Sequence, residues 1–161
     1  MIMSVFTKKT QIDELIQLLQ KYELSIAVLY ETFASILSPS ESGWMAFAKE
    51  ERLHARWIGE LHTQLKNENI SFGQTKFTVQ STKTAIVYVE NQVDKVIKDK
   101  PDLIQALNIA INIEKSLLES AFFNIFNLSN PGSQKVRAQL EEATKAHFER
   151  LIKWRKSITK A

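Results

Sequence analysis

The sequence predicts an all-α fold: a bundle of four long helices, with a long crossover between the second and third that contains an additional short helix. Apolar residues recur at helical spacing along most of the chain, and only four glycines and three prolines interrupt them. The composition, 44% hydrophobic and 24% charged, is typical of a globular protein. We therefore expect a single four-helix-bundle domain over residues 1–161.

The first two helices form a predicted hairpin. The first covers about residues 10–37, and its apolar stripe follows the i, i+3, i+4, i+7 rule at Ile12, Leu15, Ile16, Leu19, Ile26, Ala27, Tyr30, Phe33, Ala34 and Leu37. Residues 38–43 then offer a serine cap and a proline suited to a first helical turn. The second helix extends from Trp44 to about Asn67. Because the connection is short, we expect the two helices to be antiparallel neighbours.

A crossover follows the first hairpin. Residues 66–81 are polar and irregular, and the trio at 77–79 is too brief to predict a sheet. A short accessory helix is predicted at about residues 82–98. It ends before Lys100 and Pro101, because a residue that precedes proline is disfavoured in the helical region.

The third and fourth long helices form a second predicted hairpin. The third starts at Pro101 and Asp102 and continues to Ile125. The turn at residues 129–133 closes it and caps the fourth helix, whose apolar stripe continues to Ile158.

The composition also excludes several kinds of site and partner. The chain has no cysteine, which excludes disulfides, thiolate zinc sites and iron–sulfur clusters and leaves hard or borderline metal ions. The longest apolar run, residues 85–89, is too short to span a membrane, and residues 1–11 lack a secretory core, so we expect a cytoplasmic protein without a membrane partner. The net charge of +3 is not gathered into a basic stripe, so we expect no nucleic-acid partner.

Five titratable side chains lie where helical periodicity predicts buried apolar residues: Glu23, Glu51, His54, Glu114 and His147. Burying an unpaired carboxylate is costly, so such groups are normally paired or coordinated to a metal ion. Glu51 and His54, one turn apart, project from the same side of their helix. Counting at about 1.5 Å per residue from the two hairpin turns places all five side chains in roughly one layer. A metal site is therefore the leading hypothesis.

The two hairpins carry related patterns. In the first, Glu23 is followed by the Glu-x-x-His motif of Glu51 and His54. In the second, Glu114 is followed by His147, but Thr144 occupies the position of the motif's glutamate. Glu141 and Glu142 lie nearby in sequence and point away from the stripe of His147.

These residues resemble a known family. Glu23, Tyr30 and the run Trp-Met-Ala-Phe-Ala-Lys-Glu-Glu-Arg-Leu-His-Ala at residues 44–55 are similar to the first half of the rubrerythrin-type diiron-binding domain of the ferritin-like superfamily. Glu114 and His147 match its second half, and the resemblance covers about residues 12–155. It implies a ferritin-like bundle in which two iron or manganese ions are bracketed by Glu23, Glu51, His54, Glu114 and His147. Thr144 departs from the pattern, and the chain has no cysteine-rich rubredoxin module.

The departure at Thr144 affects the expected number of ions. Three carboxylates leave one uncompensated positive charge if two divalent ions bind in a low-dielectric core. We therefore expect two iron ions, or one if Thr144 weakens the second position, with manganese as the other candidate metal. The resemblance implies a peroxide- or dioxygen-reducing oxidoreductase that needs an external electron donor, with no catalytic residue assigned. The competing interpretation is a metal-poor or metal-free bundle that acts as a non-enzymatic scaffold, forming a homodimer through apolar surface on the accessory helix.

The remaining candidate residues have simpler predicted roles. His62 is expected at the surface. Tyr30 is expected to pack between helices; the alternative is that it lines the site or donates a hydrogen bond to Glu51. Trp44, Trp57 and Trp154 are expected in the core or at helix interfaces.

Overall fold

The structure, a computed structural model, describes residues 2–65, 71–72, 78–119, 126–127 and 130–159, and describes side chains over 11–65, 78–119 and 130–159. Five long helices account for most of it: α1 (Ile2–Ile36), α2 (Glu41–Leu65), α3 (Val79–Asp99), α4 (Leu103–Glu119) and α5 (Pro131–Thr159). A 3₁₀ turn at Ser38–Ser40 joins α1 to α2. The predicted all-α class is thus confirmed.

A short antiparallel ladder joins the two long connections. β1 (Ser71–Phe72) pairs with β2 (Phe126–Asn127), with Ser71 opposite Asn127 and Phe72 opposite Phe126. This pairing was not predicted, because two-residue strands have no room for a periodic pattern. The predicted end of the second helix near Asn67 and the predicted continuation of the third helix over 120–125 lie outside the described residues.

The helix starts differ from the predicted ones for local reasons. α1 begins at Ile2 rather than near residue 10, because an apolar stripe marks where a helix is covered and not where its backbone hydrogen bonding begins. α4 begins at Leu103 rather than at Pro101. Asp102 instead forms a reciprocal cap with Gln105, whose backbone N–H donates to Asp102 Oδ1 at 2.8 Å while its side chain accepts from Asp102 N–H at 2.9 Å.

The accessory helix predicted at 82–98 is α3, which is longer than predicted at 21 residues (Val79–Asp99). It starts earlier because the Thr78 side chain accepts from the backbone N–H of Ser81, and the Ser81 side chain accepts from that of Thr78. It ends where Lys100 adopts a left-handed conformation with φ 48°, and the backbone N–H of Lys100 donates to the Val96 carbonyl.

The side-chain contacts give the directions of the helices. α1 and α2 are antiparallel, since Asp13 meets His62 at one end and Tyr30 meets Trp44 at the other. α2 and α5 are also antiparallel, since Gln64 meets Ser133 and Trp44 meets Trp154. α4 and α5 pair through Glu114 with His147 and Asn108 with Arg155, again antiparallel. Consequently α2 and α4 run in the same direction.

α3 makes that arrangement possible. Lys83 pairs with Glu14 at 2.7 Å and Glu90 pairs with Lys21 at 3.2 Å, so α3 lies parallel to α1. Because α1 is antiparallel to α2, α3 carries the chain back along the length of α2. α4 therefore starts beside the beginning of α2. As a result, residues in the middle of α1, α2, α4 and α5 lie at one height along the bundle.

The core beside that meeting point is aromatic. Trp44 is fully buried and contacts the rings of Tyr30, Phe33 and Trp154, with centroid separations of 5.5, 4.7 and 5.0 Å. Gly43 allows this packing, because a Cβ at this position would lie 2.8 Å from the Trp154 ring. Trp44 lies in the core and Trp154 packs partly buried against it, which confirms the core or interface positions predicted for both. None of the helices in the described ranges has both the length and the apolar character needed to cross a membrane.

Candidate metal centre

Four helices each direct polar side chains into the middle of the bundle. Glu23 comes from α1, Glu51 and His54 from α2, Glu114 from α4 and His147 from α5, and each is at most 2% exposed. The structure therefore brings the five sequence-predicted ligands together in the interior, although they span most of the chain. Whether all five are ligands stays a prediction.

The α1–α2 side of the cluster is built around His54. Its Nδ1 lies 3.1 Å from Glu51 Oε2 and 3.8 Å from Glu23 Oε2. The ring of Trp57 lies against the His54 imidazole at 5.6 Å between centroids. His54 thus faces two carboxylates from two helices with a single ring nitrogen.

The α4–α5 side is built around His147. Its Nδ1 lies 2.6 Å from Glu51 Oε1 and 3.6 Å from Glu114 Oε1. Tyr30 donates a hydrogen bond to the same Glu114 oxygen at 3.0 Å. Tyr30 is packed in the core as predicted, but its hydroxyl partner is Glu114 and not Glu51.

Three buried atoms of this cluster have no hydrogen-bond partner among the described residues. They are Glu23 Oε2, Glu51 Oε1 and His147 Nδ1. Glu51 Oε1 and His147 Nδ1 are close, but their geometry is not that of a hydrogen bond. Unsatisfied buried groups cost free energy and normally have an explanation. Polar atoms that converge without a hydrogen bond between them are an arrangement that a cation between them would stabilise.

The possible ligand atoms of the cluster are also close to one another. Glu51, His54 and His147 each offer one ligand atom, and these atoms all lie within 4.8 Å of one another. Two ligand atoms that are each about 2.1 Å from one ion lie roughly 3 Å apart at a right angle. This buried group could therefore hold a metal ion. Glu23 and Glu114 lie at its two sides.

Because Thr144 carries no carboxylate, the cluster has three carboxylates and not four. Thr144 is buried, and its hydroxyl donates to the Leu140 carbonyl at 3.0 Å. Glu141 pairs with Lys145 at the surface, and Glu142 is exposed, so neither replaces the missing group. The side of the site next to Thr144 is therefore short of negative charge for a second divalent ion.

Protonation accounts for the burial of these charges when no ion is present. Burial raises the pKa of Glu23 to about 8, although His54 opposes that shift. Burial would lower the pKa values of the histidines, but Glu23 and Glu51 raise the pKa of His54 to about 10, and Glu114 and Glu51 raise that of His147 to about 11. Despite its burial, contacts with both histidines hold the pKa of Glu51 well below its ordinary value. Protons thus occupy, near neutral pH, the places that a cation would take.

One residue next to the cluster was missed by the sequence analysis. Glu50 accepts a hydrogen bond from His147 Nε2 at 2.5 Å and two from Arg150. Partial burial raises the pKa of Glu50, but the contacts with Arg150 and His147 outweigh it and lower that pKa below its ordinary value. The signal available in the sequence was the pair of adjacent glutamates in helix α2, together with an arginine three residues after His147.

The other candidates fall near their predicted places. The His62 side chain is 18% exposed and lies 3.0 Å from Asp13, at the edge of the α1–α2 interface rather than on the open surface. This differs from the predicted surface position, because Asp13 of α1 lies against it. Trp57 is partly buried against His54, as predicted for an interface residue.

Comparison of the chain with protein-family models, with curated proteins and with solved structures finds no match. The function of the chain is therefore inferred from the side chains of the site.

Proposed function

We propose that this protein is a non-haem iron or manganese protein of the rubrerythrin and ferritin-like type. Glu51, His54 and His147 hold the first ion, and Glu23 and Glu114 complete its surroundings. One observation carries the proposal: Glu51 Oε1 and His147 Nδ1 lie 2.6 Å apart in the interior, and neither has a hydrogen-bond partner among the described residues. A bound cation would satisfy both atoms.

The donor set favours iron or manganese over the harder ions. Imidazole nitrogens suit iron and other first-row transition metals, whereas magnesium and calcium prefer sites made of oxygen alone. Two imidazoles with up to three carboxylates bind a divalent ion with little excess charge. A second ion binds more weakly, because Thr144 supplies no carboxylate on the α5 side.

The activity that follows is reduction of peroxide or dioxygen with electrons from an external donor. Bound ferrous iron would supply the redox chemistry, which no side chain of the protein can perform alone. The protein's own residues have the supporting roles. The carboxylates hold charge and position, and the Tyr30 hydroxyl restricts the rotation of Glu114. The packed aromatic core beside the site limits access of water to it.

Anaerobic titration with ferrous iron tests the proposal. Wild-type protein should take up at least one equivalent and then develop near-ultraviolet absorbance when oxygen or peroxide is admitted. Glu51→Ala should abolish uptake, because Glu51 contacts both histidines.

The matched control for this experiment is Glu31→Ala. Glu31 is also a helical glutamate held by a basic side chain, Arg52, but it lies at the surface away from the cluster. It should bind iron like the wild type. The proposal is wrong if wild-type protein takes up neither ferrous iron nor Mn²⁺, or if Glu51→Ala binds as well as Glu31→Ala does.

A surface feature favours the second candidate function, a non-enzymatic scaffold that forms a homodimer. A groove of about 420 Å³ lies between α1 and α3, and Leu24, Val28 and Val93 line it. Leu24 is 37% and Val28 is 43% exposed, and Ile97, one turn beyond Val93, is 56% exposed. A second copy of the chain would cover this apolar surface. Sedimentation analysis should then detect a dimer that Val28→Glu dissociates, whether or not metal is bound.

A further inference from the structure

The two adjacent glutamates of α2 contact opposite nitrogens of one imidazole. Glu51 Oε1 lies 2.6 Å from His147 Nδ1 inside the bundle, and Glu50 Oε2 lies 2.5 Å from His147 Nε2 on its outer side. Successive helical residues point about 100° apart, so one strip of α2 reaches both edges of a ring that α5 inserts between them. Glu50 is 38% exposed, whereas His147 is fully buried.

Arg150 fixes the position of Glu50. Its Nη1 donates to Glu50 Oε1 at 2.9 Å and its Nη2 donates to Glu50 Oε2 at 2.5 Å, which is a bidentate pair. The guanidinium carbon lies 4.8 Å from the centre of the Phe47 ring, and Phe47 meets the His147 ring edge-on at 5.2 Å. Arg150 therefore holds the Glu50 carboxylate through two hydrogen bonds, while its guanidinium packs against Phe47.

We propose that Glu50 is a positioning residue for the metal centre, and that Arg150 holds it in place. Glu50 accepts the Nε2–H of His147, which fixes the ring orientation and leaves the Nδ1 lone pair directed at the ion. A histidine that donates its outer N–H to a carboxylate is a more basic and better oriented ligand. This inference depends on the proposed function, because it requires that a metal ion bind at Nδ1.

The donor geometry separates this role from direct ligation. Glu50 lies on the Nε2 side of His147, away from Glu51 and Glu114, which lie on the Nδ1 side. Both Glu50 oxygens are already engaged, one by Arg150 and the other by Arg150 and His147 together. Glu50 therefore acts on the ion only through the imidazole.

Zn²⁺ is a suitable probe because it is diamagnetic and binds imidazole and carboxylate groups. In the Zn²⁺-loaded wild-type protein, nitrogen-15 NMR of the histidines should show His147 with a metal-bound Nδ1 and a protonated Nε2 whose proton is shifted far downfield. Glu50→Gln should move that proton upfield and weaken Zn²⁺ binding, measured by chelator competition, by about 10- to 100-fold.

Glu31→Gln is the matched control, because it breaks an equivalent bidentate pair with Arg52 that touches no histidine. It should leave both the Zn²⁺ affinity and the NMR signals of His147 unchanged. The inference is overturned if His147 binds Zn²⁺ through Nε2, or if Glu50→Gln and Glu31→Gln have equal affinities. Should Glu50→Gln fail to fold, the wild-type NMR spectrum decides alone. If the wild-type protein binds no Zn²⁺, Fe²⁺ or Mn²⁺, both the proposed function and this inference fail. If the wild-type protein binds metal but Glu50→Gln binds it equally well, only this inference fails.

Discussion

The α1–α2 hairpin and the α4–α5 hairpin contribute unequally to the candidate metal centre. The first contributes Glu23, Glu51 and His54, so its histidine faces two carboxylates of its own hairpin. The second contributes Glu114 and His147, and the nearest carboxylate to His147 Nδ1 is Glu51 from the first hairpin. The second half of the site therefore depends on the first.

Thr144 shows how this inequality is stabilised. A buried carboxylate needs a cation or a proton, whereas the Thr144 hydroxyl is satisfied by the carbonyl one turn earlier in its own helix. The Thr144 hydroxyl is thus satisfied without metal. On the α1 side Glu23 Oε2 has no hydrogen-bond partner among the described residues. Under the proposed function we therefore expect one ion, held mainly by α2 and shared with α5.

We expect the greatest loss of stability from substitution of Glu51, which contacts the histidines of both hairpins. Glu51→Gln leaves two buried imidazolium groups without their common counter-charge, so the metal-free protein should lose about 3–5 kcal/mol of unfolding free energy. Thr144→Val removes only a hydroxyl bonded to its own helix and should change stability by less than about 1 kcal/mol. Urea unfolding at pH 7 measures both. Equal losses would contradict the inequality of the two hairpins.

Thr144→Glu should make the two hairpins more alike, because it adds a fourth carboxylate to the cluster. The added charge favours a second divalent ion, so the metal content measured by mass spectrometry should rise from about one ion to about two. The metal-free form should become less stable than the wild type, because a further carboxylate is buried without a cation. Glu142→Gln, at an exposed position of the same helix, is the control. A variant that gains stability without metal would argue against this account.

The pH dependence should have opposite signs for metal affinity and for metal-free stability. The pKa values of Glu23, His54 and His147 lie at about 8, 10 and 11 in the folded protein, above their ordinary values. Raised pKa values give stability that is present at low pH and lost as the pH rises, here from 4.5 to about 8 for Glu23, from 6.5 to about 10 for His54 and from 6.5 to about 11 for His147. Metal must displace these protons, so affinity should rise with pH by roughly tenfold per released proton per unit.

Two measurements check these signs. Zn²⁺ competition at pH 6, 7 and 8 gives the affinity, and calorimetry in buffers of different ionisation enthalpy counts the protons released. An affinity that stays constant over this range would mean that the ion does not replace protons on these groups.

The smallest expected effect concerns the outer side of the second hairpin. Arg150→Leu removes the bidentate partner of Glu50 but leaves Glu50 itself able to accept the His147 N–H. Exposed ion pairs contribute little, so Zn²⁺ affinity should fall by only about two- to fivefold. Arg52→Leu, which breaks the equivalent pair with Glu31, should not change it. A larger loss than for Glu50→Gln would show that Arg150 acts other than through Glu50.

Much of the interior could be predicted from residue patterns. The helical stripes are local, so α2 and α5 were expected close to where they lie, and Glu51 and His54 were expected on the buried side of α2. Glu50 was missed for a physical reason. It lies at the boundary of that face, and only the position of α5 determines whether such a boundary side chain meets solvent or another ring. The β1–β2 ladder was missed because it joins segments that are distant in the chain.

By itself the sequence determined the all-helical class, the approximate helices and the five polar side chains at apolar positions, because each of these depends on spacing within one helix. Only the tertiary structure decided that α3 runs parallel to α1, that Glu51 contacts both histidines, and that Tyr30 bonds to Glu114 rather than to Glu51. Those contacts depend on how whole helices are rotated and offset against one another. Packing sums small terms over many side chains, and no local pattern encodes that sum.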